Sequence, residues 1–182
     1  MIFRSRNARG FTVVEMLMVV SMIAVLAVIG LPVMKDMTQS IKLSEATRMV
    51  EREMQDARLK AVSSNRVIRV RLNCPTTGYI RSVEVLGTTA DNATNRCMTT
   101  PYPFPPADND IMTRPNFDGP VRVLPGGATV SDRVLQFSPD GTAAEVVYGV
   151  VTTIATPVEI TITRDGKSKT VTVNNAGKIQ LQ

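Results

Sequence analysis

Between Phe11 and Leu31 runs a 21-residue apolar stretch with a single charged side chain, Glu15. As a helix rising about 1.5 Å per residue it is roughly 32 Å long, enough to cross a hydrocarbon core of about 30 Å. A secretory signal would carry a shorter apolar core followed by small residues at a cleavage site. Here Gly30-Leu31-Pro32 leads into a helical pattern instead. Arg4, Arg6 and Arg9 precede the stretch, and Pro32, Val33 and Met34 after it carry no charge. That asymmetry predicts a single pass through the cytoplasmic membrane, with the N-terminus in the cytoplasm and the rest of the chain in the periplasm or an equivalent space.

A carboxylate inside such a segment is costly and calls for a partner or a function. No Lys or Arg lies between Phe11 and Met34. A cut after Gly10 would create a positive amine on Phe11, one helical turn from Glu15, in the same chain or on an adjacent subunit. The other reading is an ordinary signal anchor with Glu15 near the headgroups. Topology leaves both open.

The formal charge of +5 and the pI of about 9.6 point at first to nucleic acid or a membrane surface. Three of the basic residues are Arg4, Arg6 and Arg9. Without them 18 basic and 16 acidic residues remain, a net of +2. The basicity is then mostly a targeting signal. Cys74 and Cys97 are the two cysteines, and there is no histidine. An exported domain would allow the pair to form a disulfide. Lack of histidine removes most metal sites and the common catalytic triads. No phosphate loop or nucleophile elbow is present, so no enzyme, cofactor, metal or small-molecule substrate is expected.

The run Gly10-Phe11-Thr12-Val13-Val14-Glu15-Met16-Leu17, behind a basic leader and ahead of an apolar span, resembles the prepilin peptidase motif of type IV pilins and type II secretion pseudopilins. The resemblance implies cleavage by prepilin peptidase after Gly10 and N-methylation of Phe11. It also implies pairing of Glu15 with a neighbour's amine during filament assembly. Pro32 sits where many pilins have a helix-weakening proline, and its ring removes one backbone donor. The rest of the chain is similar to the type II secretion protein H and FimT/FimU family. The matching pieces are Ala57-Arg58 through Ala61-Val62, Leu135-Gln136-Phe137-Ser138-Pro139-Asp140-Gly141, and Asn175-Ala176-Gly177-Lys178-Ile179.

Beyond the span, Lys35 to about Asn65 reads as a continuing helix. Leu43, Ala46, Val50, Met54, Ala57 and Ala61 recur at steps of three and four. That stripe predicts packing on the chain's own β domain, with residues 34–43 free to meet other subunits. Arg48, Arg52, Arg58 and Lys60 are expected on a solvated or inter-subunit face, with Arg52–Asp56 and Asp56–Lys60 as i,i+4 pairs. From Val67 the period becomes two. Strands are expected at 67–72, 79–86, 121–124, 133–137, 145–151, 158–163, 169–173 and 178–181. Pro139-Asp140-Gly141 marks a turn, and Asp165-Gly166 between alternating runs marks a hairpin. Residues 87–120, with six prolines, break this order and read as a long loop, either partner-binding or a solvated insertion. Asp108, Asn109 and Asp110 in it fall short of a calcium-loop pattern.

The expected architecture is α+β, pilin-like: a long N-terminal helix, transmembrane then amphipathic, on an antiparallel β-sheet domain. The expected divisions are a leader (1–10), an assembly helix (11–32), its amphipathic continuation (33–66) and an extracytoplasmic β domain (67–182). The leading functional expectation is a minor pilin or pseudopilin near the tip of a type II secretion pseudopilus or type IV pilus, with other pilins as partners. An alternative is a FimT-like DNA binder. Some FimT proteins use a C-terminal Gly-Arg-x-Arg motif; here the corresponding stretch is Gly177-Lys178-Ile179-Gln180. Lys178, with Arg164, Lys167 and Lys169 nearby, would supply point charges for phosphates. A third reading is an unrelated anchored β domain.

Overall fold

The computed structural model describes residues 11–104 and 117–182. The expected leader with Gly10, and the trio Asp108, Asn109 and Asp110, lie outside the described residues. The chain divides into two compact units, Met1–Thr38 and Gln39–Gln182. The single long helix among the described residues, α1 (Val13–Ser64), includes the position of Pro32. In the first unit, every described side chain of α1 up to Leu31 is exposed.

In the second unit the predicted stripe is the helix's buried face. Leu43, Ala46, Val50, Met54, Ala57 and Ala61 are all 3% exposed or less. Each Leu, Val or Met so buried is worth about 1.5–3 kcal/mol. α1 ends at Ser64, and Asn65 after it turns the chain with a left-handed φ of 52°. The amide of Arg66 then donates back to the carbonyl of Ala61 at 3.2 Å, a Schellman closure with asparagine in place of glycine.

The helix face meets two antiparallel sheets. The larger contains β1 (Ile68–Leu72), β2 (Tyr79–Glu84), β3 (Arg122–Val123), β5 (Val134–Phe137), β6 (Ala143–Val147) and β7 (Val150–Thr153), ordered β3-β2-β1-β5-β6-β7. The smaller contains β4 (Thr129–Val130), β8 (Val158–Arg164), β9 (Lys167–Val173) and β10 (Ile179–Leu181), ordered β10-β9-β8-β4. Alternate residues of β1, β5, β8 and β9 join the helix in one core that includes Val70, Phe137, Ile160 and Val171. The expected α+β class is the observed one.

Two elements differ from the periodicity reading. The run 145–151 is two strands, β6 and β7, because Tyr148 (φ 50°) and Gly149 (φ 82°) make a two-residue turn that pairs Val147 with Val150. The hairpin at Asp165-Gly166 has the same geometry, with φ of 48° and 76°. β4 escaped notice because it is two residues long; it pairs Thr129 with Thr163 and Val130 with Ile162.

Candidate functional site

At the start of α1, Thr12 and Glu15 form a reciprocal cap. The amide of Glu15 donates to the Thr12 hydroxyl at 3.2 Å, and the Thr12 amide and hydroxyl donate to Glu15 Oε2 at 3.2 and 3.1 Å. Thr-x-x-Glu is a capping box, which satisfies donors that a helix start otherwise leaves unpaired. The carboxylate also sits at the positive end of the helix dipole. Phe11, immediately before it, is exposed. Glu15 therefore stands one turn from the residue that would carry a new amine after a cut at Gly10.

The three C-terminal motif pieces converge on one spot. Arg58, on α1, donates from Nε to the carbonyl of Gly141 at 2.9 Å and from Nη2 to the carbonyl of Ala176 at 3.2 Å. Gly141 closes the turn after β5, its amide donating to the carbonyl of Ser138 at 2.9 Å. Gly177 has φ 70°, and a Cβ there would lie 2.2 Å from the Gly141 oxygen and 2.7 Å from Arg58 Nε. Only glycine fits, for reasons of both backbone and space. Arg58 thus joins the helix to two β-turns and is not a solvated cation. Beside this knot, Arg58, Leu59, Val62, Gly177, Lys178 and Ile179 line an open cavity of about 440 Å³.

Lys60 also departs from the solvated face. Its ammonium donates to the carbonyl of Phe117 at 2.8 Å, and it forms no ion pair with Asp56 among the described residues. Burial lowers its pKa below the ordinary value, against the pull of Asp118, Glu53, Asp56 and Glu84. Arg48 and Arg52 remain exposed.

The described parts of the 87–120 segment are pinned by charges that periodicity could not reveal. Arg81 and Arg96 are fully buried, and Asp118 is 1% exposed. The Asp118 carboxylate takes both Nη atoms of Arg96, the second at 2.7 Å, and the amide of Glu84 at 2.8 Å. Arg81 donates to the carbonyls of Gly119, Met98 and Tyr102 at 2.9, 3.2 and 2.7 Å. Arg96 stacks 4.4 Å from the Tyr102 ring. Next to it, Cys97 forms the disulfide with Cys74, Cα–Cα 5.6 Å. A cross-link across 23 residues is worth on the order of 3 kcal/mol in the chain-entropy account. These described parts form a strap fastened to the sheet.

Of the four basic residues named for nucleic acid, Arg164, Lys167 and Lys169 share one end of the β8–β9 hairpin, whereas Lys178 does not join them. Arg164 and Lys167 face each other across the β8–β9 hairpin. Lys167 and Lys169 reach the hydroxyls of Ser40 and Ser44 on α1 at 3.4 and 2.9 Å. Lys178 lies beside the Ile179–Val173 pair, at the opposite end of β9 from Lys167. Six residues of strand separate the ends, roughly 20 Å. Among the described residues no group of three or more His, Cys, Asp or Glu could hold a metal ion.

A family model described as type II transport protein GspH matches residues 46–177, well over half of the chain, and takes in Arg58, Gly141 and Gly177. Among solved structures, the type IV minor pilin FimU of Pseudomonas aeruginosa is 18% identical, with 80% of this chain and 92% of that chain covered at a TM-score of 0.49. The minor pseudopilin EpsH from the type 2 secretion system of Vibrio cholerae is 16% identical, with 78% and 96% covered at a TM-score of 0.45. No curated protein matched the sequence.

Proposed function

The chain belongs to the GspH family of type II transport proteins, and from that premise we propose that it is a membrane-anchored precursor, cut after Gly10 and methylated on Phe11, that joins a filament through α1. Membership makes it a minor pseudopilin or pilin, a structural subunit and not an enzyme. The filament is a type II secretion pseudopilus or a type IV pilus, and the subunit sits near its tip.

The observation that carries this reading is the exposed apolar run of α1 with Glu15 at its start. In the precursor the carboxylate is occupied by Thr12 within its own first turn. A methylated Phe11 amine on an adjacent subunit would replace those neutral donors by a cation in a low-dielectric setting, where an ion pair is strong. Helix packing in the filament core then covers the apolar side chains that this chain leaves bare. The prepilin peptidase and the cytoplasmic membrane are the partners before assembly.

Glu15→Ala tests the pairing. Filament incorporation, or secretion or pilus function, should fall by at least an order of magnitude while the membrane level of the protein is unchanged. Normal incorporation of the variant would sink the idea. N-terminal sequencing of the mature chain should begin at methyl-Phe11; an intact Met1 would reject the class of processing.

A further inference from the structure

The core-facing row of the smaller sheet changes character at one end. Across β8 and β9 the facing pairs run Val158–Val173, Ile160–Val171, Ile162–Lys169 and Arg164–Lys167. Facing residues of an antiparallel pair share one side of the sheet, so these pairs form a single row. Its aliphatic members are all buried in the core with α1, and its last three members are cations. The cations turn toward α1 as well. Lys169 Nζ donates to Ser44 Oγ at 2.9 Å, and Lys167 Nζ donates to Ser40 Oγ at 3.4 Å. The Arg164 side chain is 13% exposed, with Nε 3.5 Å from an Asp165 oxygen. A Cβ on Gly126 would lie 2.9 Å from Arg164 Cζ, so that glycine covers the guanidinium and holds it in place.

Lys42, which is exposed, lies between Ser40 and Ser44 on α1. With Arg164, Lys167 and Lys169 it makes four cations at this end of the second unit, against the carboxylates of Glu45 and Asp165, a net of +2. Lys42 and Lys169 form no ion pair among the described residues. Ser40 is also close to where the chain arrives from the apolar span. Leu31 precedes it by nine residues, which reach at most about 32 Å however they run. The cationic end of the domain is therefore the end on the short tether. Arg58, Gly141 and Gly177 meet 18 residues further along α1 from Ser40.

We propose that the β8–β9 hairpin end of the domain docks on the phosphates of anionic lipid headgroups while the chain is anchored in a membrane. The proposal rests on the anchored reading given above. Lysine ammoniums on long aliphatic stems suit headgroup phosphates as point charges. Each cation near an anionic lipid surface is worth about fivefold in binding. A few such factors are little for a free protein, but a short tether keeps the surface at high effective concentration and makes them sufficient. Nucleic acid fits less well. The hairpin carries three cations gathered at one end, where a phosphate backbone calls for a continuing row, and it has no aromatic side chain on which a base could stack. Docking holds the domain against the bilayer until the subunit enters a filament and leaves the lipid.

The test uses the full chain in nanodiscs of phosphatidylcholine alone and of phosphatidylcholine mixed with phosphatidylglycerol. Both carry a trace of lipid spin-labelled at the headgroup, and the readout is broadening of amide signals. The amides of Gly166 and Ser168 should broaden about fivefold more in the anionic nanodisc. That excess should vanish in about 1 M salt, where the screening length falls to about 3 Å. The amide of Gly141, in the turn after β5, should show no excess. Lys167→Gln with Lys169→Gln should remove the excess at the hairpin, and Lys167→Arg with Lys169→Arg should keep it. Three results overturn the proposal and leave the anchored reading standing: equal broadening in the two nanodiscs, an excess untouched by the Gln variants, or the same hairpin shifts produced in the phosphatidylcholine nanodisc by inorganic phosphate or single-stranded DNA. Failure of the chain to enter either nanodisc overturns both.

Discussion

From Val13 to Leu31 every described side chain of α1 is exposed, whereas from Leu43 to Ala61 every third or fourth one is buried against the sheets. Their carboxylates differ in the same way. Glu15 finds its hydrogen bonds within its own first turn, while Asp118, in the domain, is gripped by Arg96 and the amide of Glu84 with Arg81 3.7 Å away. One region is satisfied by residues brought from across the sequence. The other offers exposed apolar side chains along its described residues and a single carboxylate held within its own first turn. A helix that is hydrophobic all round is at home in a bilayer or a bundle; one with a single stripe is at home on a sheet.

The largest effect should come from taking away an internal partner. Asp118→Ala leaves Arg96 and Arg81 buried without their carboxylate and should cost about 3–5 kcal/mol, read as a loss of denaturant midpoint for the β domain. A change below about 1 kcal/mol would mean that water reaches the site. Next comes a matched pair on α1. Met54→Ala, at 0% exposure, should cost about 2–5 kcal/mol of domain stability, and Val20→Ala, at 59% exposure, under about 0.5 kcal/mol. Equal costs would break the contrast between the two stretches. The smallest effect concerns Lys60. Its folded pKa is depressed, so between that value and the ordinary 10.5 the unfolded chain holds more protons, and this group makes stability rise with pH. Lys60→Met should flatten that rise in melting temperature on the alkaline side of neutrality, with little change below it.

How much could be seen from the sequence differs by region for physical reasons. The buried stripe of α1 was visible because a helix laid on a sheet must repeat every three or four residues, and Leu43 to Ala61 do so. The Asp165-Gly166 hairpin was visible because that dipeptide is built for two positive φ values in succession. The equivalent turn at Tyr148-Gly149 was hidden inside an apolar run, where a lone glycine reads as part of a strand. The strap was hidden more deeply. Arg81, Arg96 and Asp118 lie in segments with no common period, and an arginine in a proline-rich stretch looks solvated until the fold removes it from water. The same holds for Arg69 on β1, which is 4% exposed although it alternates with the core residues Ile68 and Val70.

The meeting of Arg58, Gly141 and Gly177 has a consequence for how such chains can change. Three short stretches, each unremarkable alone and up to 118 residues apart, are one mechanical joint. A methyl group at position 177 cannot be added without prising the β-turns off the helix. Any redesign that swaps the β domain for another must therefore import the arginine on the helix and both glycines together, as a single inherited part.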